Sequence, residues 1–203
     1  NSLSGAAAAA TLAVAAAFPI AYLRVREPRP LHNFFLRASY AGYVLPGPIV
    51  ALGVIFFMLH LFPPFYGTVA ALVLAYVVRF LPQCLQAEEA SLEQVSPSIE
   101  EAGRSCGAPF GRVLRKVTLP LIAPGLLTGW VLVFVHAMRE LPATLLLRPV
   151  GFDTLAVRIW IETSEEFYSM ASPGALMLIL VTLPLLALVL SRGAGSLGVR
   201  RPA

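Results

Sequence analysis

EEAGRSCGAPFGRVLRKVTLP, residues 100–120, is the stretch on which the reading of this chain turns, because it packs ionised and turn-forming residues into the middle of a greasy polypeptide. Hydrophobic residues make up 58% of the 203 positions, charged ones 13%, and the mean hydropathy is +0.77. A soluble domain carries roughly twice that charged share to cover its surface, whereas hydrocarbon requires no polar cover. The composition is therefore that of a membrane protein. A net charge of +4 and a pI near 9.4 raise the alternative of a nucleic-acid surface, which the placement of the charges decides. The basic residues fall at the edges of apolar runs, and a soluble nucleic-acid binder is set aside.

Working outward, five apolar runs cover about 3–23, 43–62, 68–85, 121–138 and 172–190. At about 1.5 Å per residue each is long enough to cross about 30 Å of hydrocarbon as a helix. No internal repeat is evident and the connections are short, so one all-α membrane bundle over 1–203 is expected. The first run reads as a span rather than a cleavable signal, because nothing basic precedes it while Arg24, Arg26, Arg29 and Arg37 follow.

Lys and Arg at the span ends predict orientation, since basic loops stay in the cytoplasm. With the amino end outside, Arg24 to Arg37, the quoted stretch with Arg104, Arg112, Arg115 and Lys116, and the tail with Arg192, Arg200 and Arg201 all lie inside. The outer side holds Arg139, Arg148 and Arg158, outweighed by Glu140, Asp153, Glu162, Glu165 and Glu166. Arg79, within the third run, is expected to snorkel to the inner face, because mid-bilayer burial costs about 2.5–3.5 kcal/mol.

Packing signals lie in the spans. Gly5, Ala9, Ala13 and Ala17 recur every fourth residue, and Gly125 with Gly129 forms a GxxxG pair, so neighbouring helices are expected to approach closely there. Pro46 and Pro48 in the second run, and Pro184 in the fifth, are expected to kink or interrupt their helices.

The quoted stretch belongs to an expected cytoplasmic loop of about 35 residues, 86–120, in a chain whose other connections read as short. Ser96 followed by Pro97 reads as an N-cap with proline at the first helical position, with Glu100 and Glu101 near the positive end of that helix. The short helix should end at Gly107. Pro109 then fits the first turn of a second helix, where Phe110, Val113, Leu114 and Val117 share one face and Arg112, Arg115 and Lys116 point elsewhere. Pro120 marks the return to the membrane. Physical chemistry leaves two readings open: an amphipathic hairpin lying on lipid headgroups, or an elbow that docks a protein.

Glu101, Ala102 and Gly103, then Gly107 four residues on, then Val117, Leu119 and Pro120, resemble the EAA loop of ABC-importer permeases, with E-A-A, three residues, G, nine residues and I-x-L-P at matching spacings. Gly103 stands where alanine is usual and Val117 where isoleucine is usual. Glycine there should loosen the first helix by about 0.5–1 kcal/mol relative to alanine. Further stretches, 45–53 and 140–160, resemble the ferric-iron branch, while sulfate, molybdate, thiamine and polyamine permeases share the architecture.

The resemblance implies a type I importer permease fold of about five transmembrane helices in the bacterial inner membrane, with the carboxyl end in the cytoplasm. It implies that the elbow, with Glu100, Glu101, Ala102, Gly103, Gly107, Phe110, Leu119 and Pro120, couples to a cytoplasmic ABC ATPase dimer. That dimer carries ATP and Mg; this chain is expected to bind no cofactor. A solute-binding protein, membrane lipids and a second permease half, fused or separate, complete the implied partners. Iron-branch halves are often fused, so the chain is compatible with being one half of a longer polypeptide.

The residues suggest no catalysis. No GxxxxGK[ST] loop is present to cradle nucleotide phosphates. Cys84 and Cys106 form neither a disulfide framework nor a zinc quartet and read as small packing residues. His32, His60 and His136 are scattered, and no metal site is expected. His136, Arg139 and Glu140, at the outer end of the fourth run, read either as an interfacial anchor or as a polar lining of the translocation path or outer gate. His136 and Glu140 should share a helix face, with Arg139 turned away. After them, 153–166 reads as an amphipathic extracytoplasmic helix suited to touching the solute-binding protein. An ATP-independent secondary transporter is the competing class.

Overall fold

A computed structural model describes residues 1–27 and 29–196, with the side chains of all of these except 31–33 and 192–196. The side chains of His32 and Arg192, and all of Arg200 and Arg201, thus lie outside the described residues. The described chain is helical: α1 (Ser2–Arg26), α2 (Pro30–Val44), α3 (Gly47–Leu61), α4 (Val69–Glu93), α5 (Pro97–Ser105), α6 (Phe110–Val113), α7 (Leu119–Arg139), α8 (Pro142–Leu147), α9 (Leu155–Ser164) and α10 (Tyr168–Ser196). A five-residue π turn, Leu114–Thr118, joins α6 to α7.

Alanine, the strongest helix former, fills α1 and gives it a face without bulk. Gly5, Ala9, Ala13 and Ala17 are buried, as their spacing predicts, and Ala6, Ala10 and Ala21 widen the same face. Leu3 and Leu12 on the other side are exposed, which suits lipid. α1 and α4 run side by side in the same direction and α7 runs against them, so that Ala13, Leu72, Tyr76, Leu85, Ile122 and Val133 close one core. The GxxxG pair does what its spacing predicts. A Cβ on Gly125 would lie 2.2 Å from Ser91 Oγ, and one on Gly129 3.1 Å from Cys84 Cα, so α7 approaches α4 to within backbone contact. Trp130 Nε1 donates to Thr11 Oγ1 at 3.1 Å and ties α7 to α1.

Four helices are long and apolar enough to cross a membrane: Ser2–Arg26, Val69–Glu93, Phe110–Arg139 and Tyr168–Ser191. The run at 43–62 is not a straight span. Phe34–Val44 and Gly47–Leu61 meet at a bend of 115°, and together they supply a fifth crossing if counted as one. The residue before a proline is pushed out of helical geometry, and Leu45 ahead of Pro46 is extended at φ −72°, ψ 141°. Pro48 then lies in the first turn of α3. The interruption expected of Pro46 and Pro48 is therefore found, and α3, with 15 residues, reaches only about 22 Å at about 1.5 Å per residue.

Pro184 does not interrupt its helix, because α10 runs through both Pro173 and Pro184. One missing N–H does not end a helix where no water competes for the neighbouring backbone groups. Only 6% of the α10 span is buried, against 50% of the α4 span, so α10 presents most of its apolar surface outward.

Two boundaries of the loop at 86–120 also move. α4 continues to Glu93, because Gln86–Glu93 is polar but rich in helix formers. Pro120 marks no break either, since Phe110–Arg139 is one continuous helix. Proline cannot donate to a carbonyl four residues back, and the π turn just ahead of it, closed by Leu119 N donating to Leu114 O, absorbs the mismatch.

Candidate functional site

The elbow is built from local rules first. Pro97 occupies the first turn of α5 and Ser96 the N-cap, as expected, but the Ser96 hydroxyl turns to Ser98 Oγ at 2.7 Å and caps no backbone amide. At the other end the chain reverses through Gly107, whose φ of +81° favours a residue without Cβ. Gly107 N donates to Arg104 O at 2.9 Å and Ala108 N to Gly103 O at 3.3 Å, a Schellman closure that satisfies the last carbonyls of α5. Pro109 is the N-cap of the next helix, one residue before the turn predicted for it.

Gly103 has a specific seat. A Cβ there would lie 3.2 Å from Val113 Cγ2, so glycine lets α5 close against the following helix. Of the predicted apolar stripe, Val113 is buried, Leu114 and Val117 are half-buried, and Phe110 is 52% exposed. Glu101, Ala102, Arg104, Gly107 and Pro120 are exposed and Leu119 is half-buried. Cys106 is exposed as well, which corrects its reading as a packing residue; Cys84 is buried beside Gly129 as expected.

Glu100 separates from the rest of the elbow. Its side chain is 10% exposed and faces α1, where Oε1 accepts from Arg26 Nη2 at 2.9 Å and Nε at 3.1 Å, and Oε2 accepts from Tyr22 at 2.9 Å. A guanidinium that donates twice to one carboxylate oxygen, with a phenol on the other, is a charge-assisted contact, stronger than a neutral hydrogen bond. Arg26 Nη1 also donates to Leu92 O at the end of α4, and the Tyr22 ring meets Phe110 edge-on at 5.9 Å. Arg24, two residues before Arg26, pairs with Glu89. The elbow is thus fastened to the end of α1. Sequence reasoning counted Arg24 and Arg26 only as orientation signals, since a pairing across 74 residues leaves no local mark.

A second polar site lies toward the opposite end of the bundle. His136, Arg139 and Glu140 line one cavity of about 470 Å³ together with Tyr43, Arg79 and Phe80. α7 ends at Arg139 and Glu140 leaves in extended geometry, φ −71°, ψ 116°, so adjacent residues expected to diverge face the same space. Arg79 does not snorkel toward the elbow end. Its Nη1 donates to Glu140 Oε1 at 3.2 Å and its guanidinium sits 5.6 Å from the Phe80 ring centre. The Glu140 carboxylate, brought in from the end of α7, gives the Arg79 guanidinium a charged partner inside the bundle.

Glu140 is where four elements converge. Besides Arg79 on α4, its Oε1 accepts from Ala143 N at the start of α8, and its backbone carbonyl accepts from Thr144 Oγ1 at 2.5 Å. Thr144 in turn shares a 2.6 Å hydrogen bond with Tyr76. Gly47, opening α3, closes the arrangement, since a Cβ there would lie 2.0 Å from Arg79 Nη1 and 2.8 Å from Glu140 Oε1. His136 Nδ1 is held by Leu132 O at 2.8 Å and His60 Nδ1 by Phe56 O at 2.9 Å, and no group of three metal-ligating side chains occurs among the described residues.

α9 falls within the amphipathic stretch at 153–166. Thr154 caps it by accepting from Val157 N at 3.4 Å, and Arg158 and Glu162 pair one turn apart at 2.9 Å. Leu155 N donates to Ser2 Oγ at 2.6 Å, which places the amino end of α1 and α9 together, away from the elbow.

Known proteins are similar to this chain in sequence and in fold. The chain is 37% identical over 171 residues to the Fe(3+)-transport system permease protein FbpB 2 of Haemophilus influenzae, covering 84% of this chain and 34% of that protein. It is 30% identical over 201 residues to a probable molybdenum ABC transporter permease of Haloferax volcanii, covering 95% and 74%. It is 32% identical over 127 residues to the trehalose transport system permease protein SugB of Mycobacterium tuberculosis, covering 62% and 46%. The chain thus spans about a third of the ferric relative and about half of the trehalose one. Its fold matches that in a crystal structure of an amino acid ABC transporter with histidines, at a TM-score of 0.63 and 18% identity over 93% of this chain and 87% of that one. A bacterial ABC transporter for import of the acidic polysaccharide alginate gives 0.62 and 15% over 98% and 79%. With the model of the binding-protein-dependent transport system inner membrane component matching residues 7–191, the chain belongs to that family of multi-pass membrane permease components.

Proposed function

We propose that this chain is a permease half of an ATP-driven, binding-protein-dependent importer, and that its elbow receives the movement of a partner ATPase. The observation that carries the reading is the buried Arg26–Glu100–Tyr22 junction, which ties a protruding glycine-jointed elbow to the end of a membrane-spanning helix. Its exposed face offers Glu101, Ala102, Arg104 and the ring of Phe110 to a protein surface, while Glu100 works inward as the fastening. An exposed aromatic beside charges is the composition of a docking surface. ATP and Mg belong to that ATPase, a second permease half completes the pathway, and α9 with the amino end of α1 faces the solute-binding protein. In this orientation the amino end is outside, the elbow is cytoplasmic, and His136, Arg139 and Glu140 line the path near the outer gate.

Ferric iron is the proposed solute, on the strength of the 37% identity to the Haemophilus permease named for Fe(3+) transport. The molybdenum and trehalose relatives favour a second reading in which the solute differs and the mechanics are the same. The assembled transporter, reconstituted with its binding protein, tests the coupling. Glu101→Lys is expected to lower solute-stimulated ATP turnover and uptake at least fivefold, while the permease still assembles in the membrane. Unchanged stimulation and uptake would refute the elbow's role, and accumulation of molybdate or trehalose without iron would replace the solute.

A further inference from the structure

The cavity at the Arg79–Glu140 pair has a charge imbalance that bears on the form in which a solute passes. Of its six lining residues two are arginines and one is a carboxylate. Glu140 is 7% exposed, and its Oε1 is already shared by Arg79 Nη1 and Ala143 N, each at 3.2 Å. Arg139 makes no hydrogen bond or ion pair among the described residues and is exposed. The Tyr43 phenol, 49% exposed, and the half-buried His136 ring complete the polar wall, with His136 Nδ1 committed to Leu132 O so that Nε2 is the free nitrogen. Phe80, buried behind them, holds the Arg79 guanidinium by a cation–π contact.

Arg79 stands ten residues into α4, about 15 Å along the axis from Val69, on a helix long and apolar enough to cross a membrane. An unpaired cation there is costly and marks a path or a ligand site. A bare metal cation finds one carboxylate, neutralised in advance, and two guanidiniums that repel it. Guanidinium forks instead match the planar oxygens of carboxylates and the oxygens of phosphate-like anions.

We infer that this cavity is an anion-recognition site, at which Arg139 and the free N–H groups of Arg79 bind the anionic oxygens of the passing solute. Those oxygens belong either to a free oxyanion or to the organic acid of an anionic metal chelate. The inference rests on the permease reading above, and it makes any iron cargo cross with its negatively charged ligand.

Dual-label uptake separates the two levels. Proteoliposomes holding the assembled transporter, with its binding protein and internal ATP, are offered ferric citrate carrying radioactive iron and radioactive citrate carbon, and in parallel labelled molybdate, phosphate and trehalose. Entry of iron together with citrate, or of an oxyanion, is expected. Arg139→Glu should reduce that uptake at least tenfold and raise the half-saturating solute concentration, while Arg139→Lys keeps at least a third of the rate. Arg139 makes no side-chain hydrogen bond or ion pair among the described residues and is exposed, so these variants are expected to fold even where Arg79→Gln does not. Iron entering without citrate, uptake of trehalose alone, or indifference to Arg139→Glu would overturn the anion site and leave the permease reading standing. Absence of ATP-dependent uptake of every solute would overturn both.

Discussion

Gly107 and Gly103 show how different two glycines four residues apart can be, about 6 Å along a helix at about 1.5 Å per residue. Gly107 is required by its backbone: at φ +81° a Cβ clashes with the following carbonyl, while nothing crowds it from outside. Gly107→Ala should therefore lower stability by about 1–2 kcal/mol, and Gly107→Asn by less, because asparagine tolerates the left-handed region. Thermal unfolding of the purified protein in detergent checks this through the order of midpoints, Gly above Asn above Ala; equal midpoints contradict it. Gly103 instead has ordinary helical geometry and a close neighbour, since a Cβ there would press on Val113 Cγ2 at 3.2 Å. From sequence the glycine at 103 reads as a small loosening of α5, a correct statement of helix propensity. The compensating contact with Val113 depends on the angle at which two helices meet, which propensity does not contain.

At the scale of elements, the elbow moves with α1 if the Arg26–Glu100 pair transmits force. Both side chains are about 10% exposed, and removing one partner of such a pair costs about 3–5 kcal/mol because it strands the other charge. Arg26→Leu is expected to destabilise the protein by about that amount and to abolish solute-stimulated ATP turnover. Adding Glu100→Gln should restore much of the stability without restoring coupling, since the stranded carboxylate is gone but the tie is not rebuilt. A double mutant as coupled as the wild type would show that the junction is structural only. The elbow's two helices and its glycine joint were legible in residues 96–120, where caps, prolines and motif spacing are all local signals. The ends of its flanking helices were not, because hydropathy locates the edge of the hydrocarbon rather than the end of the helix, and α4 runs on through polar helix formers to Glu93.

For the whole molecule the two thiols give a reading of orientation, since Cys106 is exposed on the elbow and Cys84 is buried in the bundle. A membrane-impermeant maleimide should label Cys106 in inverted vesicles and not in intact spheroplasts, with Cys84 unlabelled in both until the protein is denatured. Labelling of Cys106 in spheroplasts would reverse the proposed topology. The outward-facing α10, with Leu180, Leu183 and Leu190 exposed, fits a boundary with lipid or with a second half. Amino-acid order was enough for the membrane class, the small-residue faces of α1 and α7, the proline break before α3 and the position of the elbow, because each is written in residues that are near neighbours along one helix or one turn. The folded bundle alone settled that Glu100 turns inward to Arg26, that Arg79 reaches Glu140 instead of the elbow side, and that Arg139 and Glu140 share a cavity. Those outcomes depend on which helices lie side by side and on where α7 stops, and charge partners 61 and 74 residues apart are chosen by that geometry and not by spacing along the chain.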